Sequence, residues 1–296
     1  MVAEPAPFIV GAPRSGTTLL RLMLDSHPLL AIPPETAGMV PHVAALAAAN
    51  DVRVASPEGL LEVLQTYPPD GNAWDDYGLT STEVLVALRA AQPFNTSDGM
   101  RAFFGAYAAR FGKPRWGEKT PGNGASLPLI EQLLPEAHFV HLVRDGRDVA
   151  ASWVEQWFRP APDVLGTLAA WHAAVTTIAE LGGQVQHYME VRFEELVTSP
   201  RATIQRICGF LGLEPHDDML QPHDRAAGRL VEHRDRLRAD GSVLVSHADR
   251  LQQQISVTRS LDAELIGAWR DRPAAAVLAD LPEAHQGLLR DLGYTD

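Results

Sequence analysis

Residues Pro7 to Asp25, PFIVGAPRSGTTLLRLMLD, constrain the fold more than any other stretch of the chain. An apolar run (Phe8, Ile9, Val10) meets Gly11. A tight loop, Ala12-Pro13-Arg14-Ser15-Gly16, follows, and Thr17-Thr18 opens an amphipathic helix through Leu19, Leu20, Leu22, Met23 and Leu24. A strand, a glycine-bounded loop and a helix N-terminus together form an anion cradle. Loop N–H groups converge on one point, where the helix dipole favours negative charge.

The loop nearly matches the phosphate-loop pattern G-x-x-x-x-G-K-[ST]. Gly11 and Gly16 have its spacing and Thr18 stands at its last hydroxyl, but Thr17 replaces the lysine. That lysine reaches the β- and γ-phosphates of a nucleoside triphosphate. Without it, the loop suits a single phosphate better than a triphosphate with Mg²⁺. The basic group stands inside the loop instead, as Arg14.

Further along, strand-like runs alternate with helical patterns. Strands are expected over Arg115 to Glu118, His138 to Val143 and Tyr188 to Phe193. Helices are expected from about Ala125 to Leu134, Arg147 to Trp157, Asp163 to Leu181, Pro200 to Leu211 and Asp262 to Trp269. Residues 37–112 read mostly helical. The alternation predicts an α/β fold, a mostly parallel sheet flanked by helices. With 296 residues, 46% hydrophobic content and no linker-like stretch, the chain reads as one domain over residues 1–296. In that reading the 37–112 segment is an insertion that lids the active site.

A net charge of -12 argues against general binding of nucleic acid or anionic membranes, so any anionic ligand must be drawn by local arginines. The single cysteine, Cys208, allows no intrachain disulfide and is expected to pack in the core. No stretch is expected to reach the roughly 18 uncharged apolar residues that span a bilayer. The 11 histidines show no metal-ligand spacing, and no metal is expected. His141 reads as a core histidine and His27 as a cap at the first helix's end. Trp153, Trp157 and Trp171 read as core residues on helices.

Phe139 to Ser152, FVHLVRDGRDVAAS, supplies a second anion site. Arg144 ends a strand and so faces the crevice where open α/β sheets bind ligands. Ser152 lies within the first two turns of the next helix, and its hydroxyl reaches the same anion if that helix runs past it. Pro33-Pro34-Glu35-Thr36 follows the first helix closely enough to return beside the cradle. Lys119 ends a strand at the same edge of the sheet as the loop.

Pro13-Arg14-Ser15-Gly16-Thr17-Thr18 resembles the 5′-phosphosulfate loop of sulfotransferases that use 3′-phosphoadenosine 5′-phosphosulfate (PAPS). The run PRSGTTLLRLMLDSHP is similar to the protein-tyrosine sulfotransferase branch and its bacterial relatives. Arg144 and Ser152 match the family's 3′-phosphate motif, so the resemblance implies a donor gripped at both ends. ATP has no use for the second grip. Glu35 matches the catalytic base of the tyrosine-sulfating branch. Lys119 aligns with a lysine that neutralises the transferring group; Thr120 and Glu118 depart from that segment's aspartate and asparagine, which keeps Glu118 as a second candidate base.

The resemblance implies a PAPS-dependent sulfotransferase with 3′-phosphoadenosine 5′-phosphate (PAP) as coproduct. The acceptor would be a small-molecule, glycan or phenolic hydroxyl. Catalytic roles fall to Glu35, Arg14 and Lys119; donor contacts fall to Arg14, Ser15, Gly16, Thr17, Thr18, Arg144, Ser152 and Arg259. Ser246 is placed near the sulfate, Arg259 near the 3′-phosphate, and Arg192 or Phe193 where relatives carry an aromatic. A cytoplasmic location is expected, since the chain shows neither the membrane anchor of its secretory relatives nor a basic leader. Two alternatives stand beside this reading. One is an ATP-dependent kinase with an altered loop, disfavoured by Thr17. The other is a nucleotide-binding protein without catalysis, disfavoured by Arg14, Glu35 and Lys119 standing together. Acceptor identity and oligomeric state are not legible.

Overall fold

A computed structural model describes residues 4–156, 158–260 and 263–294. Its centre is a four-stranded, all-parallel sheet. β1 (Ala6–Gly11) pairs on one side with β4 (Glu118–Lys119) and on the other with β5 (Ala137–Val143), which in turn pairs with β6 (Tyr188–Arg192). β2 (Leu30–Ala31) and β3 (Arg115–Trp116) form a separate parallel pair, and β7 (Arg236–Leu237) with β8 (Val243–Val245) an antiparallel one. The stretch expected as one strand over Arg115 to Glu118 is thus two, divided at Gly117. A Cβ there would lie 2.7 Å from the Pro7 ring, so only glycine lets the chain change sheets against β1.

Both faces of the sheet are covered, as a parallel sheet requires. Alternate residues of β1 and β5 face opposite layers. Phe8, Val10 and Phe139 pack with α2 (Met39–Ala48), α3 (Pro57–Thr66), α4 (Ser81–Ala90), α5 (Thr96–Ala109) and α6 (Leu127–Leu133). Ile9, Val140 and Leu142 pack with α1 (Thr17–Asp25), α9 (Phe193–Thr198), α10 (Pro200–Leu211) and α11 (His223–Leu230). A third cluster joins α7 (Gly146–Trp153) and α8 (Val164–Gly182) to α13 (Ala275–Ala279) and α14 (Glu283–Asp291) through Trp153, Trp171, Leu278 and Leu289. α12 (His247–Gln253) sits near the cleft described below.

Several boundaries differ from expectation for local reasons. α6 begins after a 3₁₀ turn over Pro121–Ser126, where Pro121 and two glycines keep the chain out of α-helical geometry. α7 ends at Trp153; Trp157 lies outside the described residues. The helix expected from Asp262 to Trp269 is two short 3₁₀ turns, Ala263–Leu265 and Ala268–Asp271, separated by Gly267 at φ 74°; Asp262 also lies outside the described residues. α8 corrects the expectation of no bilayer-length apolar segment. Its 19 residues are long and apolar enough by length and composition, and here its Leu168, Trp171, Val175 and Ile178 are buried.

Cys208 is fully buried with Sγ 3.8 Å from Met219 Sδ, and burial pushes its thiol up to about 11. His141 is buried, with Nδ1 bonded to the Tyr188 hydroxyl at 2.7 Å. His27 does not cap α1. Its ring meets the Glu214 carbonyl and the Leu29 N–H, while Ser26 Oγ donates to the Leu22 carbonyl.

Candidate active site

The phosphate loop leaves β1 at Gly11 (φ 152°) and enters α1 at Gly16 (φ 95°). A Cβ at Gly11 would stand 2.5 Å from the Leu142 carbonyl oxygen, and one at Gly16 2.4 Å from the Phe193 ring. Arg14 adopts φ 72°, a left-handed conformation that costs a non-glycine residue about 1–2 kcal/mol and aims its side chain across the loop. No side chain caps the N-terminus of α1, so the first-turn N–H groups remain available to an anion. Ser15 Oγ is buried with no partner among the described residues. These are the features a phosphate would satisfy.

Across the cleft, Arg144 leaves the end of β5 and lies over the Phe193 ring at 4.3 Å. It donates to the Leu265 carbonyl at 2.6 Å and stands 3.4 Å from Asp148, while its Nε is buried without a partner. Arg14 Nε donates to Ser152 Oγ at 3.1 Å, and Arg144 reaches the Arg14 carbonyl at 3.5 Å. The two expected grips are therefore walls of one cleft, about 240 Å³ in volume. Burial and the facing Arg144 charge both press the Arg14 guanidinium below its ordinary value. A polyanion between the two arginines would relieve that strain.

Lys119 is carried into the site by the pairing of β4 with β1, where it stands opposite Ile9. Its Nζ lies 2.5 Å from Glu35 Oε1 and 3.3 Å from Thr18 Oγ1. One ammonium thus bridges the carboxylate and the head of α1. It brings a cation from a neighbouring strand to the head of α1, where the loop itself carries Thr17. Burial pushes the ammonium down from its ordinary value, and Glu35 opposes that shift. For Glu35, the surrounding walls act to raise the carboxyl, but Lys119, with Arg236 and Arg250 behind it, outweighs them and holds it below the usual range. Glu35 remains 42% exposed along its side chain and lines the cleft.

Glu118 does not share this position. It is fully buried and accepts hydrogen bonds from Thr36, Thr120 and Asn123 at 2.8, 2.6 and 2.9 Å. Burial holds its carboxyl above the ordinary value. It ties the Glu35 loop to β4 and lines neither cavity beside Glu35.

Of the late candidates, Arg259 lines the cleft, whereas Ser246 is turned away. Ser246 caps α12, bonding Asp249, and is corrected to a structural role. Phe193 is the aromatic of the cleft; Arg192 stacks instead on Tyr294 at 5.2 Å. Helices of the 37–112 segment line none of this cleft and pack in the core layer against one face of the sheet. From this segment Ala37, and Pro68, Asp70 and Gly71 in the loop after α3, line a neighbouring chamber that Glu35 also lines. The cleft is walled by residues the sequence did not single out: Gln254, Ser256, Val257 and Leu265 from the C-terminal segment, and Phe158. Asp148 holds part of that segment by accepting from the Gly267 and Trp269 N–H groups, both at 2.9 Å.

A parallel sheet, a glycine-bounded phosphate loop entering a helix, and cations gathered at the strands' carboxyl ends define an α/β protein of the phosphate-loop type. The sulfotransferase family model matches residues 5–218, and the chain belongs to that family. It is similar to protein-tyrosine sulfotransferase A of Caenorhabditis elegans, at 26% identity over 98% of this chain and 67% of that one. It is also similar to nodulation protein NoeE of Sinorhizobium fredii, at 28% identity over 70% of this chain and half of that one. Among solved structures, the sulfotransferase domain from the Synechococcus PCC 7002 olefin synthase shares the fold. Its TM-score is 0.59 at 24% identity, covering 99% of this chain and 95% of that one.

Proposed function

We propose that the protein transfers a sulfuryl group from PAPS to an acceptor hydroxyl, leaving PAP. The observation that carries this reading is the position of Lys119 between Glu35 and Thr18. A base, a cation and a phosphate cradle stand in sequence, as an in-line displacement needs. Glu35 takes the acceptor proton as the acceptor oxygen bonds to sulfur. The bond from sulfur to the 5′-phosphate oxygen breaks, and that oxygen keeps the electron pair. N–H groups of residues Ser15 to Thr18 hold the 5′-phosphate, while Arg14 and Lys119 meet the charge that develops on the leaving oxygen. Arg144, Ser152 and Arg259 receive the 3′-phosphate. Arg144 Nε, now buried and unpartnered, and the mutual repulsion of Arg14 and Arg144 support a second anionic group there.

The test is a thermal-shift comparison of PAP with ATP and Mg²⁺, followed by mass spectrometry of cell extract supplied with PAPS. PAP should stabilise the protein more than ATP does, and sulfated products should accumulate. Preference for ATP with Mg²⁺ would favour a kinase. PAP binding with no transfer to any acceptor would favour a binding protein without catalysis.

A further inference from the structure

Glu35 and Lys119 also wall a second chamber, about 390 Å³, to which the phosphate loop contributes nothing. It is bounded by the loop after α3, by the hairpin of β7 and β8, and by His233. Its cations are already matched. Arg236 and Arg250 converge on buried Asp76 at 2.7 and 2.8 Å, and their remaining donors go to the carbonyls of Gly71, Glu35 and Arg234. Lys119 is taken by Glu35 and Thr18. Much of the remaining wall is apolar, from Ala37, Pro68, Leu244 and Val245. His233 stands apart. It is 7% exposed, lines the chamber, and its Nδ1 has no partner among the described residues. Burial, then the charges of Arg250, Arg21, Lys119 and Arg236, push the ring down to about 2, so it is neutral at working pH. A neutral imidazole offers one donor and one acceptor.

We propose that this chamber is the acceptor site, that it takes a hydroxyl compound with a compact apolar body and no anionic group, and that His233 hydrogen-bonds that compound. The proposal rests on Glu35 as the base, since the chamber opens on the same carboxylate. An anionic acceptor would find the chamber's cations already spent, Arg236 and Arg250 on Asp76 and Lys119 on Glu35, and would meet the carboxylates of Glu35 and Asp70 in the same wall.

Calorimetry on the full chain saturated with PAP tests this, using 2-naphthol and its charged analogue 6-hydroxy-2-naphthoate as probes. The naphthoate should bind at least about tenfold more weakly, the penalty of an unmatched charge. His233→Phe should weaken 2-naphthol binding by about three- to tenfold, the loss of a single hydrogen bond, while His233→Gln retains it. Leu244→Trp, which narrows the chamber from the hairpin, should abolish it. PAP affinity should be unchanged in all three variants. No 2-naphthol binding, equal binding of the naphthoate, or indifference to His233→Phe would each overturn the proposal. Failure of PAP to bind, with His233-dependent binding of 2-naphthol preserved, would overturn the donor reading instead and leave the chamber standing.

Discussion

Replacing Gly16 by alanine probes the joint between the phosphate loop and the second anion site. Two penalties follow from the geometry. At φ 95° an alanine is held in left-handed space, at about 1–2 kcal/mol. Its Cβ would also lie 2.4 and 2.6 Å from two carbons of the Phe193 ring, more than 1 Å inside ordinary contact, and relieving such overpacking costs about 1–3 kcal/mol. Denaturant unfolding should therefore show a loss of about 2–5 kcal/mol with an unchanged slope. Arg144 rests on that same ring at 4.3 Å, so a displaced Phe193 moves the guanidinium as well. PAP affinity should fall by about ten- to a hundredfold, as expected for an ångström-scale misplacement of a positioning group. In a Phe193→Leu background the substitution should be less harmful by about 1–2 kcal/mol, a coupling readable from the double-mutant cycle. A Gly16→Ala loss below about 0.5 kcal/mol, or one that Phe193→Leu leaves untouched, would refute the packing argument.

Other expectations concern the charged groups. Glu35→Gln should lower kcat by about 10²–10⁴-fold with PAP affinity intact, the usual share of a general base; lost PAP binding would reassign the residue to donor binding. The Glu35 carboxyl is held below its ordinary value, so turnover should persist on acidification past the usual glutamate range, near about 4.3, and fall only as pH drops through the lowered value. Lys119→Met removes the nearest cause of that lowering and should move this acid limb upward; a limb that stays in place would show that Lys119 does not set it. Glu118→Gln should retain turnover within several-fold and stability within about 1 kcal/mol. Asn123 Oδ1 is buried and unpartnered, so a flipped Asn123 amide would accept from the new Gln N–H. Turnover falling as far as in Glu35→Gln would make Glu118 the base. Arg229→Ala removes the arginine that holds Asp25 at 2.8 Å and takes from Glu232 one of its two arginine partners, leaving Arg21 at 3.3 Å, and should cost about 3–5 kcal/mol in denaturant unfolding; a loss under about 1 kcal/mol would show the ion pairs to be dispensable.

What the sequence revealed about the site tracks how local each signal is. The phosphate loop is contiguous, and its glycines report backbone needs that the structure shows as positive φ angles and forbidden Cβ contacts at Gly11 and Gly16. Arg144 and Ser152 lie within a strand, a turn and a helix whose period fixes their direction. Lys119 needed one long-range fact, the pairing of β4 with β1, and a strand end was enough to suggest it. The cleft's remaining wall was hidden for a different reason. Ile255–Thr258 and Ala263–Leu265 are short turns with no period, and part of the stretch beyond them hangs from Asp148 by backbone N–H groups that carry no side-chain signature. His233 was equally silent. It lines a chamber with Glu35 beside a segment that Arg234, Arg236 and Arg250 tie to Asp76, contacts between distant parts of the chain that no local pattern announces. Residues 37–112 read correctly as helical but not as core, because an amphipathic helix looks the same whether its apolar face meets a sheet or closes a cleft.

The arrangement also explains why Glu35 and the phosphate loop hold one geometry although the Pro33-Pro34 segment separates them. The inner side of α1 carries Arg21 and Asp25, one turn apart and both buried. Arg21 Nε donates to the Ile32 carbonyl at 2.9 Å, and Asp25 Oδ1 accepts from the Ile32 N–H at 2.8 Å. Arg229 adds a second donor to the same carbonyl at 3.2 Å and pairs with Asp25. Ile32 is therefore clamped through both of its backbone groups to the helix that the phosphate loop enters. From there Pro33 and Pro34, each with a fixed φ, leave little freedom before Glu35. Any tilt of α1 that moves the cradle thus carries Glu35 with it. The distance between Glu35 and the phosphate loop is set by a buried ionic clamp, not by the cleft that displays them.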